Sequence, residues 1–569
     1  MKAIYQKTGI AVIMALFAVS CDESKFLEEK PLSIYAAEIA LETSTDYQAA
    51  VNYLYRSTTD LLFYRGSGDN RVSMWYGTDL AFCSCDVNKL NKYADTMIPT
   101  YFVVEDTWRN TYVIVNQANL ILSRIETSGL PEAEKNTIRG EALFFRAFGY
   151  RILANLFGGV PLIMEEITAP RRDFVRASRQ DTYTQVKNDL LEAIPLLANI
   201  ESVKDGKVSR QVAQHLLAET YVSLGDYNNA ISMATSVIDY PGVALMTARF
   251  GTKANETGSA YSDLHRSGNQ NRSSGNRESL WASQFDHLNP ASPNSSLMPR
   301  DILPNYLNIT ITADEVTTTA FVNGTAEKGG ATQGWMQPTD YACNGVWDDS
   351  GDLRNADYLI IRDWRIDNED SPAFGKWIVK DGFISQINPV RQFYPFFMKV
   401  AGDIPEELYL KDANGSPLLT ALGEHCVPYD ILRNYRESYI FRLAETYLLR
   451  AEAHILNGNQ AAAAADINVI RARSEASLVE PSQVDIDYLL DERIRELCFE
   501  ELRMITLCRM GKLVERTRKY NSTYPAINGQ LLESSGTSMK DYHNLWPIPF
   551  SEIERNIEAK LEQNPGYTN

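Results

Sequence analysis

Between residues 44 and 240, apolar side chains recur every three or four positions, stretch after stretch, and this periodicity commits that part of the chain to packed amphipathic helices. Residues 46–62 carry Ala49, Val51, Leu54, Leu61 and Leu62 on one stripe. Residues 108–125 continue with Tyr112, Val115, Ala118 and Leu122, and Gly129-Leu130-Pro131 stops them. A third helix over 134–156 ends at Gly158-Gly159 ahead of Pro161, and 183–197 and 210–224 follow. Of the 569 residues, 44% are hydrophobic and 22% charged. Such a chain buries a large core, which excludes disorder throughout.

Within this region, 216–230 reads as a tetratricopeptide-like helical hairpin. Its Leu224-Gly225-Asp226-Tyr227-Asn228-Asn229-Ala230 turn puts a glycine at the helix end, with an aromatic and a small residue at the next crossing. A second copy runs over 441–473. There Ala444, Leu448, Ala451 and Leu456 lead to Asn457-Gly458-Asn459, and a second helix starts through 461–465. Small residues at these positions allow close helix approach.

The character changes between 241 and 430. Residues 251–279 are rich in Gly, Ser and Asn and read as a long surface loop. Short alternating runs at 280–285, 358–361 and 377–379 suggest minor strands. The last third is helical again, and 485–519 is dense in Glu and Arg, read as intrahelical pairs and partly buried ion pairs clamping the bundle. The expected fold is therefore mainly α: a TPR-like helical-hairpin scaffold with a loop-rich insertion containing minor β-strands. The expected divisions are 1–20, 21–43, 44–240, 241–430 and 431–569.

The first 20 residues read as an address. Lys2 and Lys7 precede the apolar run 10–19, too short for a bilayer span of roughly 20 residues but suited to a secretory signal. The run ends at Ala18-Val19-Ser20-Cys21, which resembles a bacterial lipobox with Cys21 as the lipidated residue of the mature chain; Ala18 stands where leucine is usual. Acyl chains on Cys21 make a transmembrane helix unnecessary. The tether 21–43 begins with an acidic stretch, Asp22-Glu23-Ser24-Lys25, which resembles a signal for display on the cell exterior.

Four separated stretches stand out: Phe26-Leu27-Glu28-Glu29-Lys30-Pro31, Arg442-Leu443-Ala444-Glu445-Thr446-Tyr447-Leu448, Asp491-Glu492-Arg493-Ile494-Arg495-Glu496-Leu497, and Leu545-Trp546-Pro547-Ile548-Pro549 with Asn564-Pro565-Gly566-Tyr567 behind it. In this order they resemble the SusD/RagB-like outer-membrane nutrient-binding lipoproteins. One departure is Glu501-Leu502 and Met504-Ile505, where relatives often carry Gly-His and Trp-Phe. The resemblance implies a helical fold with four TPR-like hairpins. It also implies a partner, a SusC-like TonB-dependent transporter on which the protein sits as a lid, and a glycan as the captured nutrient. It carries over no catalytic residues.

The residues themselves favour binding over catalysis. There is no His-Glu-x-x-His, no Gly-x-Ser-x-Gly elbow, no phosphate-cradling glycine loop and no Cys-x-x-Cys, so neither metal nor cofactor is expected. Asp348 and Asp349 are adjacent, and neighbours in sequence rarely flank one bond at the roughly 5–9 Å that glycoside hydrolysis requires. A net charge of -18 repels phosphate backbones, which argues against nucleic acid. Aromatics are the better lead, because 12 of the 67 residues from 331 to 397 are aromatic against 10% overall. Flat rings stack on the C–H face of a sugar while Asn, Asp, Arg or Gln bind its hydroxyls. Trp335, Tyr341 and Trp347, with Asn344 and Asp349 nearby, form one candidate platform. Trp75 and Tyr76 beside Asn70 and Asp79 form a second, in the early region that the resemblance links to the ligand pocket. Capture of a peptide or another non-glycan nutrient, and a TPR adaptor without a small ligand, remain the alternatives.

Overall fold

In the computed structural model, residues 41–63, 72–84, 89–286, 288–289, 292, 296–388, 390–401, 403–431, 433–524 and 534–568 are described. The signal and lipidation reading at 1–21 lies outside them. The N-terminal stripes all lie on helices: α1 (Ser44–Phe63), α2 (Phe102–Ile125), α3 (Glu132–Phe157), α4 (Arg179–Leu196), α5 (Arg210–Leu224) and α6 (Tyr227–Ile238). Each packs on the next, α1 on α2 through to α5 on α6. Their ends are set locally. Ser178 opens α4 with a capping box to Asp181, and Asp226 opens α6 by accepting the Asn229 N–H. Between α5 and α6, Gly225 adopts φ 77°, a left-handed turn that is cheap only without a Cβ.

The middle of the chain holds short antiparallel ribbons. With β1 (Ala81–Cys83), β2 (Ser279–Ser283), β3 (Met336–Pro338) and β4 (Ser438–Arg442), β1 pairs with β3 and β2 with β4. Ile360–Ile361 pairs with Phe396–Phe397. The strand expected at 377–379 does not form; Trp377 makes one isolated bridge to Arg365. A five-residue helix, α7 (Met298–Ile302), follows β2.

The stretch 251–279 is a surface loop only in part: 251–258 is exposed or half-buried, whereas 259–265 is buried. Asn269, Gln270 and Asn276 are buried, and their side-chain amides donate to the carbonyls of Asp263 (2.9 Å), Leu264 (2.9 Å) and Asn269 (2.8 Å). Polar side chains here replace missing ladder partners, so over 259–279 the Gly/Ser/Asn bias records self-bonded turns as well as exposure.

The C-terminal part comprises α8 (Leu443–Leu456), α9 (Gln460–Arg473), α10 (Ile486–Leu497), α11 (Arg503–Met510) and α12 (Leu513–Tyr520). The two hairpins read from the sequence meet directly, with α6 packed on α8. Ala218, Ala230 and Ala234 from one face Leu449 and Ala453 from the other, and these small side chains permit the approach. The charged run 485–519 is broken after α10, where Phe499 has φ 59°, and again at Gly511, φ 65°. Among the described residues no helix is long and apolar enough to cross a membrane.

The Glu/Arg run does clamp the molecule, mostly between elements and in full burial. Arg442, at the end of β4, bonds Glu278 (2.6 Å) before β2 and Glu496 (2.9 Å) on α10. Arg354 from the insertion bonds Glu492 (2.8 Å) and Glu496 (3.1 Å). Arg151 on α3 grips Glu219 on α5 at 2.6 Å. Two-pronged guanidinium–carboxylate geometry repays part of the desolvation cost and fixes how the elements register. Cys343, Cys426, Cys498 and Cys508 are buried thiols, and burial pushes Cys498 and Cys508 up to about 12. The six histidines read as surface or capping groups; of these, His215, His265 and His543 are buried, and burial lowers His215 to about 3.

Candidate functional site

The short helix α7 touches two different environments, Trp335 through Asp301 and a small polar pocket through Met298. Trp335 stands at the start of β3. Its main-chain N–H donates to Asp301 O (2.7 Å), and its carbonyl accepts the Ser84 N–H (2.9 Å). The indole is half-buried, with the guanidinium of Arg300 4.3 Å from the ring centre. Such a cation over the π face stiffens the ring. Gly334 makes this placement possible. Its φ is 60°, and a Cβ there would lie 2.5 Å from Arg391 O. Arg391 in turn donates to the Gln333 carbonyl from Nη2 (2.9 Å) and Nε (3.2 Å).

Met298 of α7 and Phe63 wall a small pocket whose polar lining comprises Lys399, Asn434, Arg436, Ser438 and Glu500. Phe63, the last residue of α1, meets Phe285 edge to face at 6.4 Å. A second polar cavity shares Phe63, Tyr439 and Glu500 with it and continues inward to Arg151, Glu445 and Glu501. Burial raises the carboxyl of Glu500, but Arg442 and Lys399 outweigh it and hold the group at about 2.

The residues singled out from sequence separate into three groups. Tyr341, Asn344 and Trp347 share one turn, spanning Tyr341–Gly345 and its exit. Tyr341 stacks on Tyr520 with ring centres 3.6 Å apart and planes 19° apart, so those two faces are spent on each other. The Trp347 indole N–H donates to Ala342 O (3.0 Å) and its ring packs against the core. Asn344 is exposed, donating to Asp340 at 2.8 Å. Asp349 acts as a turn acceptor: the backbone N–H groups of Ser477 and Gly351 hold its carboxyl below the usual range.

Trp75, Tyr76 and Asp79 do not form a platform. All three are fully buried. The Trp75 indole donates to Glu501 O (2.7 Å), the Tyr76 hydroxyl meets that of Tyr101 (3.0 Å), and Asp79 is clamped by Arg503 and Arg516. Aromatic density there served the core, because packing and stacking on a ligand draw on the same residue types. Asn70 lies outside the described residues. Trp335 remains the half-buried indole among these candidates, and its partner Arg300 and the pocket residues Phe63, Lys399 and Arg436 carry no local sequence signal.

The SusD family profile matches residues 431–567, and the profile described as starch-binding, associating with outer membrane, matches 25–222. The chain belongs to the SusD/RagB-like family. Among SusD/RagB-like relatives, a SusD-like protein of Formosa agariphila is 23% identical over 99% of both chains, and a second from that organism is 25% identical over 99% of both. The starch-binding protein SusD of Bacteroides thetaiotaomicron is 36% identical over 22% of this chain and 21% of its own. Among solved structures, a laminarin-binding SusD-like protein superposes with TM-score 0.64 at 22% identity, covering 92% of this chain and 99% of that one. A SusD homologue from B. thetaiotaomicron gives 0.65 at 18%, covering 93% and 98%. These likenesses establish the mainly helical SusD/RagB-like fold.

Proposed function

We propose that this SusD/RagB-like protein is a cell-surface glycan-binding lipoprotein. In this reading it is anchored in the outer membrane through Cys21 and delivers oligo- or polysaccharide to a SusC-like TonB-dependent transporter. The observation that carries the glycan assignment is Trp335: an indole that is half-buried and not packed away in the core, with Arg300 4.3 Å from its ring centre. A pyranose offers one apolar C–H face to such a ring and a rim of hydroxyls to the neighbouring polar groups. The starch-binding and laminarin-binding names of relatives support the same ligand class. Of the turn that holds Tyr341, Asn344 and Trp347, the exposed Asn344 is a subsidiary contact in this reading. Binding, with no bond broken, is the proposed role.

Isothermal titration of the purified chain against a panel of neutral and charged polysaccharides tests this. Micromolar to millimolar binding to at least one glycan is expected, and failure with every glycan overturns the reading. For the anchor, Cys21→Ala is expected to move the protein from the membrane fraction to the soluble fraction and to abolish palmitate labelling. Co-purification of a TonB-dependent transporter with the tagged native chain tests the partner.

A further inference from the structure

The pocket beside α7 holds a buried cation, Arg436, that makes no contact ion pair among the described residues; Glu500, which also lines the pocket, Asp403 and Glu437 act on it only from beyond ion-pair distance. Arg436 is 7% exposed, and among the described residues no carboxylate lies within ion-pair distance of it. Its Nη2 donates to the Lys399 carbonyl, and its Nε is buried with no hydrogen-bond partner. The neighbouring cations are all provided for. Arg442 has Glu278, Glu496 and Glu500, Arg473 has Glu278 and Glu496, and Lys399 has Glu500 at 2.6 Å. The next acid outward, Asp403, is already shared between Arg266 (3.2 Å) and Lys253 (3.4 Å).

Burial lowers the Arg436 guanidinium from the usual arginine value, whereas the paired Arg442 and Arg473 are raised by their carboxylates against the same burial. An uncompensated buried charge is costly, and it persists where something outside the chain supplies the missing partner. The pocket has room for about 40 Å³ of solvent, the scale of one small oxyanion group. Its rim reaches the surface at half-buried Met298 and Ser438, and Asn434 and Ser438 add neutral hydrogen-bonding groups.

We propose that this pocket is an anion subsite in which Arg436, helped by Lys399, Asn434 and Ser438, receives the carboxylate or sulfate-ester group of an acidic polysaccharide. The inference rests on the glycan-binding reading and narrows it to a charged substrate class. The pocket and the indole share α7, whose Met298 lines the pocket and whose Asp301 carbonyl accepts the Trp335 N–H. The net charge of -18 does not forbid this, since ionic screening acts over about 8 Å and the local excess is positive. A nucleic acid, by contrast, needs an extended basic track.

The test is titration of the full chain with polygalacturonate, a sulfated galactan and a neutral β-glucan. Galacturonate and galactose 6-sulfate serve as small probes that separate the carboxylate from the sulfate source. The expected result is tighter binding of one acidic polymer, weakened about tenfold or more in Arg436→Met and less in Arg436→Lys. Binding of that polymer should also weaken with added salt. Binding of the neutral glucan alone, or an acidic polymer bound equally by the parent and both variants, overturns the subsite while leaving the glycan reading intact. Failure of every polymer overturns both. Because Arg436→Met removes an unpaired buried charge, the variant is expected to fold, and circular dichroism checks it. Should it not fold, Arg436→Lys against the parent decides the question.

Discussion

Asp79 and Arg503 lie 424 residues apart in the chain and meet in a buried two-pronged ion pair, Nε to Oδ1 at 2.8 Å and Nη2 to Oδ2 at 2.7 Å. Arg516 adds a third bond to Oδ2 at 2.9 Å. Asp79 precedes β1 and Arg503 opens α11, so one carboxylate joins the two ends of the sequence that match separate family profiles. Breaking a buried pair strands a charge. Asp79→Asn is therefore expected to cost about 3–5 kcal/mol, read as a lower urea midpoint. A loss below about 1 kcal/mol would contradict a clamping role.

Acid should unlock the same clamps. Burial raises Asp79, but Arg503 and Arg516 outweigh it and hold the carboxyl at about 2; Glu219, Glu492 and Glu500 are held at about 2 by the same balance. Their folded values lie below the free values of 3.8 and 4.5, so the stability they contribute is present above about pH 5 and is lost as pH falls through the folded values. Melting temperature is expected to fall steeply below about pH 4, and less steeply in Asp79→Asn. Equal acid slopes in parent and variant would exclude Asp79 as a contributor.

Glu445 titrates in the opposite sense. Burial raises it to about 7, with Arg493 opposing and Glu501 and Glu219 adding to the rise. A folded value above 4.5 means that its contribution is present below 4.5 and is lost as pH rises toward 7. Glu445→Gln is expected to gain up to about 3 kcal/mol relative to the parent between pH 5 and pH 8. Thermal melts of both proteins across that range check this, and parallel curves would refute it.

Trp335 and Trp75 should respond differently to the same substitution. Trp335→Ala is expected to weaken glycan binding about tenfold or more with a small change in stability, as for an aromatic anchor in a binding site. Trp75, fully buried and bonded to Glu501 O, is expected to lose about 3–5 kcal/mol of stability in Trp75→Ala. Titration and denaturation on both variants separate the two roles. A Trp335→Ala protein that binds every ligand of the parent unchanged would remove that indole from the site.

Helices were legible because their signals are local. The 3.6-residue stripe, the Gly225 turn and the Asp226 cap all act within a few positions, so α1 to α6 appear close to where periodicity places them. The site was far less legible. Trp75 and Trp335 look alike in sequence, each an indole in a Gly-flanked, polar stretch; which one is covered depends on α11 and α12 in one case and on α7 in the other. Arg300 precedes Trp335 by a whole loop, and Arg436 stands out only because every other buried arginine around it has found a carboxylate.

The sequence by itself determined the helical class, the two hairpins, the family and the charged clamp, because periodicity, capping and charge density are properties of neighbouring residues. Tertiary structure alone decided which aromatics face solvent, which carboxylates meet which guanidiniums, and which cation is left over. Those outcomes depend on desolvation and on contacts between residues hundreds of positions apart, and no local pattern encodes them.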